Sequence, residues 1–402
     1  MRIVSINTVF FGSTGKIMLG INELAKQNGY ETLSVSGFVL GKTNTPENSI
    51  VIGGPVSKTL HKILAKFTGF QGVFSYFATK KALKIIDSFA PDIIHLHNLH
   101  AWFINLPLLF KYIKKKGIKV VWTLHDCWPI TAQCTHFTLA KCDKWQTGCC
   151  NCPQFREYPE TFIDSTKLMY KLRKKWFTGV KDLTVVTPSV WLSNLVKKSF
   201  LCGYPIKVIN NGIDLALFCP TESDFREKYG ILPTQKIILG VSFGWGYSKG
   251  LDVFCELSKR LDENCYKIVL VGTDSETDKE LPKNIISIHK TANQKELAEI
   301  YSAADVFVNA TRQDNFPTVN IEALACGTPV ITFKTGGSTE IIDEFSGSAV
   351  DVNELDFLEK EIIRILKDKP FGEKSCIERA KSFDMNDRFM EYIKLYEELN
   401  SK

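Results

Sequence analysis

The sequence predicts an α/β fold built from two doubly wound, Rossmann-like domains, and three observations carry that expectation. Residues 2–9, a glycine-containing turn, an apolar-periodic helix and residues 31–36 make a strand–helix–strand opening, the unit from which doubly wound sheets grow. A comparable series restarts far down the chain at Lys236-Ile-Ile-Leu-Gly-Val-Ser. The charge also changes sign along the chain: residues 1–200 hold 26 Lys and Arg against 11 Asp and Glu, a net +15, and the remainder is −9, summing to +6. A length of 402 residues accommodates two or three domains. The apolar fraction of 44% and charged fraction of 23% are ordinary for a globular protein, and no apolar run reaches the ~18 residues of a membrane span.

In order, the first strand covers 2–9 and the first helix about 17–28, so Phe10-Phe11-Gly12-Ser13-Thr14-Gly15-Lys16 reads as the loop between them. Gly-Ser-Thr-Gly-Lys looks like a phosphate loop but fails the P-loop spacing. Phe10 stands where the first glycine belongs and Ile17 where Ser or Thr belongs, which excludes a nucleoside triphosphatase of that class. Residues 58–90 interleave Lys58, Lys62, Lys66, Lys80, Lys81 and Lys84 with Leu60, Leu64, Phe67, Phe70, Phe74 and Phe77. That pattern predicts amphipathic helices around a glycine-containing turn, packed on the sheet with solvated lysines. Residues 111–119 and 167–175 are further basic clusters, the second suited to an anionic membrane surface.

Asp92-Ile-Ile-His95-Leu-His97 and Val120-Val-Trp-Thr-Leu-His125-Asp126 read as buried strands that end in polar residues. Ligands of open α/β sheets gather at the carboxyl ends of strands, so His97 and His125 point to the same edge as the glycine loop. Alternation puts His95 and His97 on one face of their strand, where a structural or acceptor-side role is preferred to a metal. Cys134-x7-Cys142-x6-Cys149-x2-Cys152 then supplies four soft ligands in under twenty residues, with Cys150 as an extra thiol. This spacing suits a structural zinc ion stapling a loop that lacks its own apolar core; reduced buried thiols, or less favourably an iron–sulfur cluster, are the alternatives. Four protein thiolates leave no open position, which disfavours catalytic zinc.

A strand at 183–189 and a helix at 190–199 lead to Asn211-Gly212-Ile213-Asp214, near which the charge changes sign. The predicted domains are 1–214, with a Cys-rich insert at 134–152, then 215–385, then a terminal helix at 386–402; residues 215–235 read as the linker. In the second domain the strand at 236 runs into Phe243-Gly244-Trp245-Gly246-Tyr247-Ser248-Lys249-Gly250. Strands follow at 266–272, 285–289 and 305–309, with a helix at 293–304. Thr311 to Glu340 then reads as loop, helix, turn, strand and glycine loop. Pro317 marks the helix start, Gly327 and Pro329 its end, and 330–333 a short buried strand. Asp314 falls just before the helix and Glu322 one turn inside it, an arrangement that suits a polyhydroxylated, anionic ligand.

The stretch 311–340 resembles the family-four retaining glycosyltransferases of GT-B fold, which carry a Glu-x7-Glu pattern ahead of an Ala-Cys-Gly-Thr-Pro-Val turn. Here the first carboxylate is Asp314, one methylene shorter, and the second is Glu322; Ala325-Cys-Gly-Thr-Pro-Val330 and Gly336-Gly337-Ser338-Thr339-Glu340 match as they stand. Asn211-Gly-Ile-Asp214 and Lys249-Gly250 also match, and the Cys-rich insert is similar to that of polysaccharide-assembly members. The resemblance implies two Rossmann-like domains facing a cleft, the first on the acceptor side and the second holding the donor. It further implies a UDP- or GDP-sugar donor, a glycan or lipid-linked acceptor, retention of anomeric configuration and no cofactor required for catalysis. By resemblance Glu322 binds the ribose hydroxyls, Asp314 the transferred sugar and Lys249 the diphosphate, with Phe316, Thr318 and Val319 beside it. Gly12, Ser13 and Gly15 lie near the donor, and His125 contacts the sugar. The family's second cation falls at Phe243, so it is missing or supplied elsewhere, with Arg312 as a substitute.

The opening residues do not form a signal peptide, because their apolar run is short and ends in a glycine loop. The expected setting is cytoplasmic, with peripheral contact to the inner face of the membrane and the twelve cysteines reduced. Two other readings fit parts of the sequence. One is a sugar-nucleotide epimerase on the same plan. The other is a zinc-stapled module binding nucleic acid through the basic half, disfavoured because no recognition motif for nucleic acid is present and the carboxylate helix would be idle.

Overall fold

Two parallel sheets organise the chain, each inside its own unit. The computed structural model describes residues 1–39 and 45–401. Residues 1–210 with 388–402 form one unit and 211–387 the other. The first sheet consists of β1 (Arg2–Val9), β2 (Glu31–Phe38), β3 (Ser49–Val51), β4 (Ile93–Leu96), β5 (Lys119–Thr123), β6 (Leu183–Thr187) and β7 (Ile206–Val208). Their spatial order is β3-β2-β1-β4-β5-β6-β7. The second consists of β8 (Lys236–Val241), β9 (Tyr266–Val271), β10 (Ile285–Ile288), β11 (Val306–Asn309), β12 (Val330–Phe333) and β13 (Gly347–Val350), in the order β10-β9-β8-β11-β12-β13. Each order reverses beside its first strand, between β1 and β4 and between β8 and β11. At such a switch point the loops leaving the carboxyl ends diverge to opposite faces and open a crevice.

The strands form because both faces are covered. Residues 93–96 and 306–309 are buried throughout, as expected of central parallel strands. In the first unit Trp122 packs between Phe110 and Phe177, with ring centroids 5.5 and 4.9 Å away. In the second, Tyr301 meets Phe307 at 5.6 Å.

Three sequence expectations change. The first helix is Gly12–Gln27, so Gly12, Ser13 and Gly15 form its opening turn instead of a free loop. The turn is tight: a Cβ on Gly15 would stand 2.6 Å from the Phe10 carbonyl carbon. Residues 215–235 are not a bare linker, since Phe218, Phe225 and Ile231 are buried in the core of the second unit. In the basic cluster at 167–175, Arg173 is fully buried and faces no surface.

The closing helix, Met385–Asn400, buries Phe389, Tyr392, Ile393 and Tyr396. From residue 388 it belongs to the first unit, where it is tied to the sheet through histidine. Tyr396 Oη lies 2.6 Å from His95 Nδ1, the Thr123 hydroxyl lies 2.8 Å from His95 Nε2, and Thr123 donates to Tyr392 Oη at 3.2 Å. His97 stacks beside His95 at 4.0 Å and meets His125 Nε2 through Nδ1 at 2.9 Å. Burial holds this column of imidazoles neutral, pushing His95 down to about 3 and His125 to about 4.

The denatured imidazoles take up protons below about pH 6.5, whereas the folded ones resist until far lower. Stability is therefore complete above that pH and falls as pH drops, by roughly 1.4 kcal/mol per histidine per pH unit. Urea unfolding at pH 7.0 and 5.5 should show a lower midpoint at 5.5, with a shallower dependence in His95→Gln; a midpoint constant over this range would contradict neutral burial.

Candidate functional site

The crevice of the second sheet is framed by the loop leaving β8 and the loop leaving β11. Their closeness rests on backbone contact that only glycine permits: Gly250 has φ +79°, and a Cβ there would stand 2.5 Å from the Ala310 carbonyl oxygen. Arg312 rivets the same two loops. Its backbone N–H donates to Ser248 O at 2.8 Å, and its guanidinium donates to Tyr247 O at 2.5 Å and Asn353 Oδ1 at 2.7 Å. It is held bidentately by Asp252 at 2.7 and 2.8 Å and stacks on Tyr247 at 4.0 Å. Arg312 is thus a buried strut, and it does not stand in for the cation missing at Phe243, whose own side chain is fully exposed.

With the loops fixed, Lys249 Nζ donates to Asp314 Oδ2 at 2.9 Å and to Gln313 O at 3.3 Å. The helix Thr318–Ala325 begins just beyond. Its N-cap is Pro317, no side chain caps it, and its first turn holds no acid, so the positive end of the helix is not neutralised from within. The Asn309 side-chain amide donates to Asn320 Oδ1 at 2.7 Å and ties this helix to β11. Glu322 is half-buried on the helix, and Tyr301 Oη donates to its Oε2 at 3.1 Å. The loop after β12 closes the group: Gly337 N–H donates to Asn315 O at 2.8 Å, and a Cβ on Gly336, at φ +56°, would lie 1.9 Å from Asp314 O.

Lys249, Asp314 and the half-buried Thr318, Val319 and Glu322 are therefore carried by neighbouring loops and one helix at the switch point. Phe316 is different, because its ring is buried and packs 5.8 Å from Phe383; it positions the loop from the core side. Sequence reasoning missed Tyr301, Asp252 and Tyr247, which orient Glu322 and Arg312. A cavity of about 520 Å³ lined by Thr221, Asp305, Pro329 and Phe371 opens at the amino ends of β11 and β12, the opposite edge from the crevice.

In the first unit the switch-point loops are joined by Asn7, another residue the sequence did not flag. Its side-chain amide donates to Thr14 Oγ1 at 3.2 Å and Val9 O at 2.8 Å, and its Oδ1 accepts from Asn98 N–H at 3.1 Å. Gly12 and Ser13 are exposed and Gly15 is buried beneath them. His125 meets His97, while Asp126 accepts from Trp128 N–H at 2.8 Å and lies 3.1 Å from His100 Nε2. Cys134, Cys142, Cys149, Cys150 and Cys152 surround one small cavity. Among the described residues no three His, Cys, Asp or Glu side chains are already posed to hold a metal ion.

Residues 59–217 match the family described as Glycosyltransferase Family 4, and residues 221–383 match Glycosyl transferases group 1. The chain is a family-four glycosyltransferase of GT-B fold. This glycosyltransferase is 25% identical to the putative colanic acid biosynthesis glycosyl transferase WcaC of Escherichia coli K12, over 77% of each chain. It is 26% identical to an Escherichia coli UDP-Gal:alpha-D-GlcNAc-diphosphoundecaprenol alpha-1,3-galactosyltransferase, over 53% of this chain and 58% of that one. Among solved structures it is similar in fold to sucrose-phosphate synthase from Thermosynechococcus elongatus, with TM-score 0.72, 19% identity and coverage of 100% and 99%. Anabaena HepE in complex with UDP matches with TM-score 0.65, 17% identity and coverage of 99% and 100%.

The glycosyltransferase's crevice depends on Gly336 having no side chain. Gly336→Ala should destabilise the protein by about 1–3 kcal/mol in urea unfolding and displace Asp314, lowering transfer well beyond that loss. Wild-type stability and turnover in this variant would show that the two loops are not in the contact described.

Proposed function

We propose that this glycosyltransferase moves a sugar from a UDP- or GDP-sugar to a glycan or lipid-linked acceptor, with retention of configuration, in the assembly of a bacterial surface polysaccharide. The observation that carries the reading is the Lys249–Asp314 pair beside the uncapped start of the helix Thr318–Ala325. A diphosphate fits a helix N-terminus with an adjacent ammonium, because both present positive charge and N–H donors. The relatives named for colanic acid synthesis and for a diphosphoundecaprenol-linked acceptor support the polysaccharide setting, and the UDP complexes of HepE support a nucleotide-sugar donor.

In this reading the second unit is the donor side and the first the acceptor side. As the bond from the anomeric carbon to the β-phosphate oxygen breaks, negative charge collects on the departing nucleoside diphosphate. Lys249 and the N–H groups around Thr318 and Val319 stabilise that charge, which assigns no catalytic role to a metal. Asp314 accepts hydrogen bonds from the transferred sugar, Glu322, oriented by Tyr301, accepts from the ribose hydroxyls, and Phe316 supports the loop. His125, neutral because burial holds it at about 4, exchanges a hydrogen bond with a sugar hydroxyl, near the turn of Gly12, Ser13 and Gly15.

Glu322→Ala should abolish transfer while the fold survives, judged by circular dichroism, and Lys249→Ala should weaken donor binding at least tenfold by calorimetry. Normal turnover in the first, or unchanged affinity in the second, would remove the corresponding role. The anomeric configuration of the product by NMR tests retention, and product formed without acceptor would point to an epimerase instead.

The acceptor-side unit also carries a face for an anionic membrane. No helix among the described residues is long and apolar enough to cross a bilayer. The helix Pro55–Thr68 nevertheless exposes Val56 (83%), Leu60 (54%), Ile63 and Phe67 (60%), a stripe at helical spacing, with Phe162 beside Phe67 and lysines 58, 62 and 66 interleaved. This is the make-up of an interfacial helix, so the proposed setting is cytoplasmic and peripheral on the inner face of the membrane. The protein should sediment with phosphatidylglycerol vesicles at low salt, and Leu60→Glu with Phe67→Glu should abolish this. Sedimentation unaffected by those changes would place the contact elsewhere.

A further inference from the structure

Between β5 and the helix Thr166–Phe177 lies a stretch of about forty residues whose only regular structure is two short turns, Trp128–Ile130 and Lys144–Gln146. Part of it is anchored by apolar packing, as where Phe137 stacks on Trp145 at 4.9 Å. The rest surrounds a cavity of about 20 Å³, room for one water-sized occupant, walled by Cys134, Cys142, Cys149, Cys150 and Cys152. None of these is in a disulfide.

A second, independent feature points at the same place. Arg173 is fully buried, an expensive position for a cation without an anion. One guanidinium nitrogen donates to the carbonyls of Trp128 and Thr131 at 3.1 Å each, and the plane stacks on Trp128 at 3.9 Å. Nε and Nη2 have no partner. The anionic groups Arg173 senses are Cys149, Cys134 and Asp126, and Asp126 is already engaged by Trp128 N–H and His100. Protonated thiols cannot serve as its counter-charge.

We propose that Cys134, Cys142, Cys149 and Cys152 bind one zinc ion as a closed structural centre, with Arg173 as its buried counter-cation. On binding, each thiol gives its proton to solvent and its sulfur to the metal, so four protons leave and the centre carries a charge of 2−. That charge supplies the counter-charge that the buried Arg173, with two idle donor nitrogens, otherwise lacks. Because each thiol must shed its proton to bind, zinc uptake is coupled to proton release and weakens as pH falls. Four protein ligands leave no position for water or substrate, so the ion braces the loop and performs no chemistry. The cysteines wall one cavity, and among the described residues no three of them stand in ligand geometry, so binding requires their side chains to reorient. This inference does not rest on the sugar-transfer reading.

The test uses the full chain, purified under reducing conditions without chelator. Mass spectrometry of metals should find one zinc per chain, lost in Cys149→Ser and Cys152→Ser and kept in Cys150→Ser and Cys202→Ser. Because the first two variants risk misfolding, wild-type protein reconstituted with cobalt should also show thiolate-to-cobalt charge-transfer absorption with tetrahedral bands. Arg173→Met should keep the stoichiometry but release zinc to a chelator at least tenfold faster. Overturning results are wild-type protein that takes up no zinc on reconstitution, zinc content indifferent to the cysteine changes, disulfides among the four sulfurs in the isolated protein, or unchanged zinc release in Arg173→Met.

Discussion

The close passage of the β8 and β11 loops governs the second unit, and Arg312 is the group that enforces it. Its guanidinium is 4% exposed and is held by a carboxylate, two amide-type oxygens and an aromatic face. Lys249 and Asp314 are 33% and 25% exposed, so their pair is screened by water and contributes little to stability. The division of labour follows from those burial differences. A buried, fully engaged arginine sets the distance between loops, and a half-solvated lysine and aspartate at that distance can exchange each other for a ligand at small cost.

Glycine does for the backbone what Arg312 does for the side chains. At Gly250 and Gly336 the neighbouring carbonyl stands where a Cβ would be, so the crevice is assembled from main chain pressed against main chain. This leaves few torsions to adjust on binding, and pre-ordered N–H groups and carboxylates lose less entropy when they engage a ligand. The short helix Thr318–Ala325 shares this economy. Its buried Asn320, Ile321 and Leu324 anchor it, while its uncapped start is left for a partner.

Much of this was legible in the sequence, and the parts that were not share a cause. The strand 330–333 is legible as a short apolar run and the opening strand–helix–strand unit as a pattern, while Lys249, Asp314 and Glu322 stand out through the family motif they resemble. Tyr301, Asp252 and Asn7 do not, because their partners lie in other elements and no local pattern marks a long-range hydrogen bond. Arg312 was misread for the same reason: an arginine beside a glycine-rich loop looks like a free cation until Asp252, sixty residues upstream, is seen to hold it. The first helix was placed too late because Gly12, Ser13 and Gly15 are weak helix formers. The packing of Gly15 against the Phe10 carbonyl overrides that propensity.

The first unit repeats the doubly wound plan with a different filling, a column of buried histidines tied to the closing helix. His95 is satisfied on both ring nitrogens by Thr123 and Tyr396, so it must remain neutral and fixed. His97 packs against it with its ring tilted by 36° and in turn meets His125. Two tyrosines on the closing helix therefore fix His95, Tyr396 directly and Tyr392 through the Thr123 hydroxyl. Removing Tyr396 would leave a buried imidazole nitrogen without its partner, and removing Tyr392 would free the Thr123 hydroxyl that engages the other nitrogen. A helix at the far end of the chain thereby pins β4 to β5 through a single histidine, a constraint that no pattern local to either strand could supply.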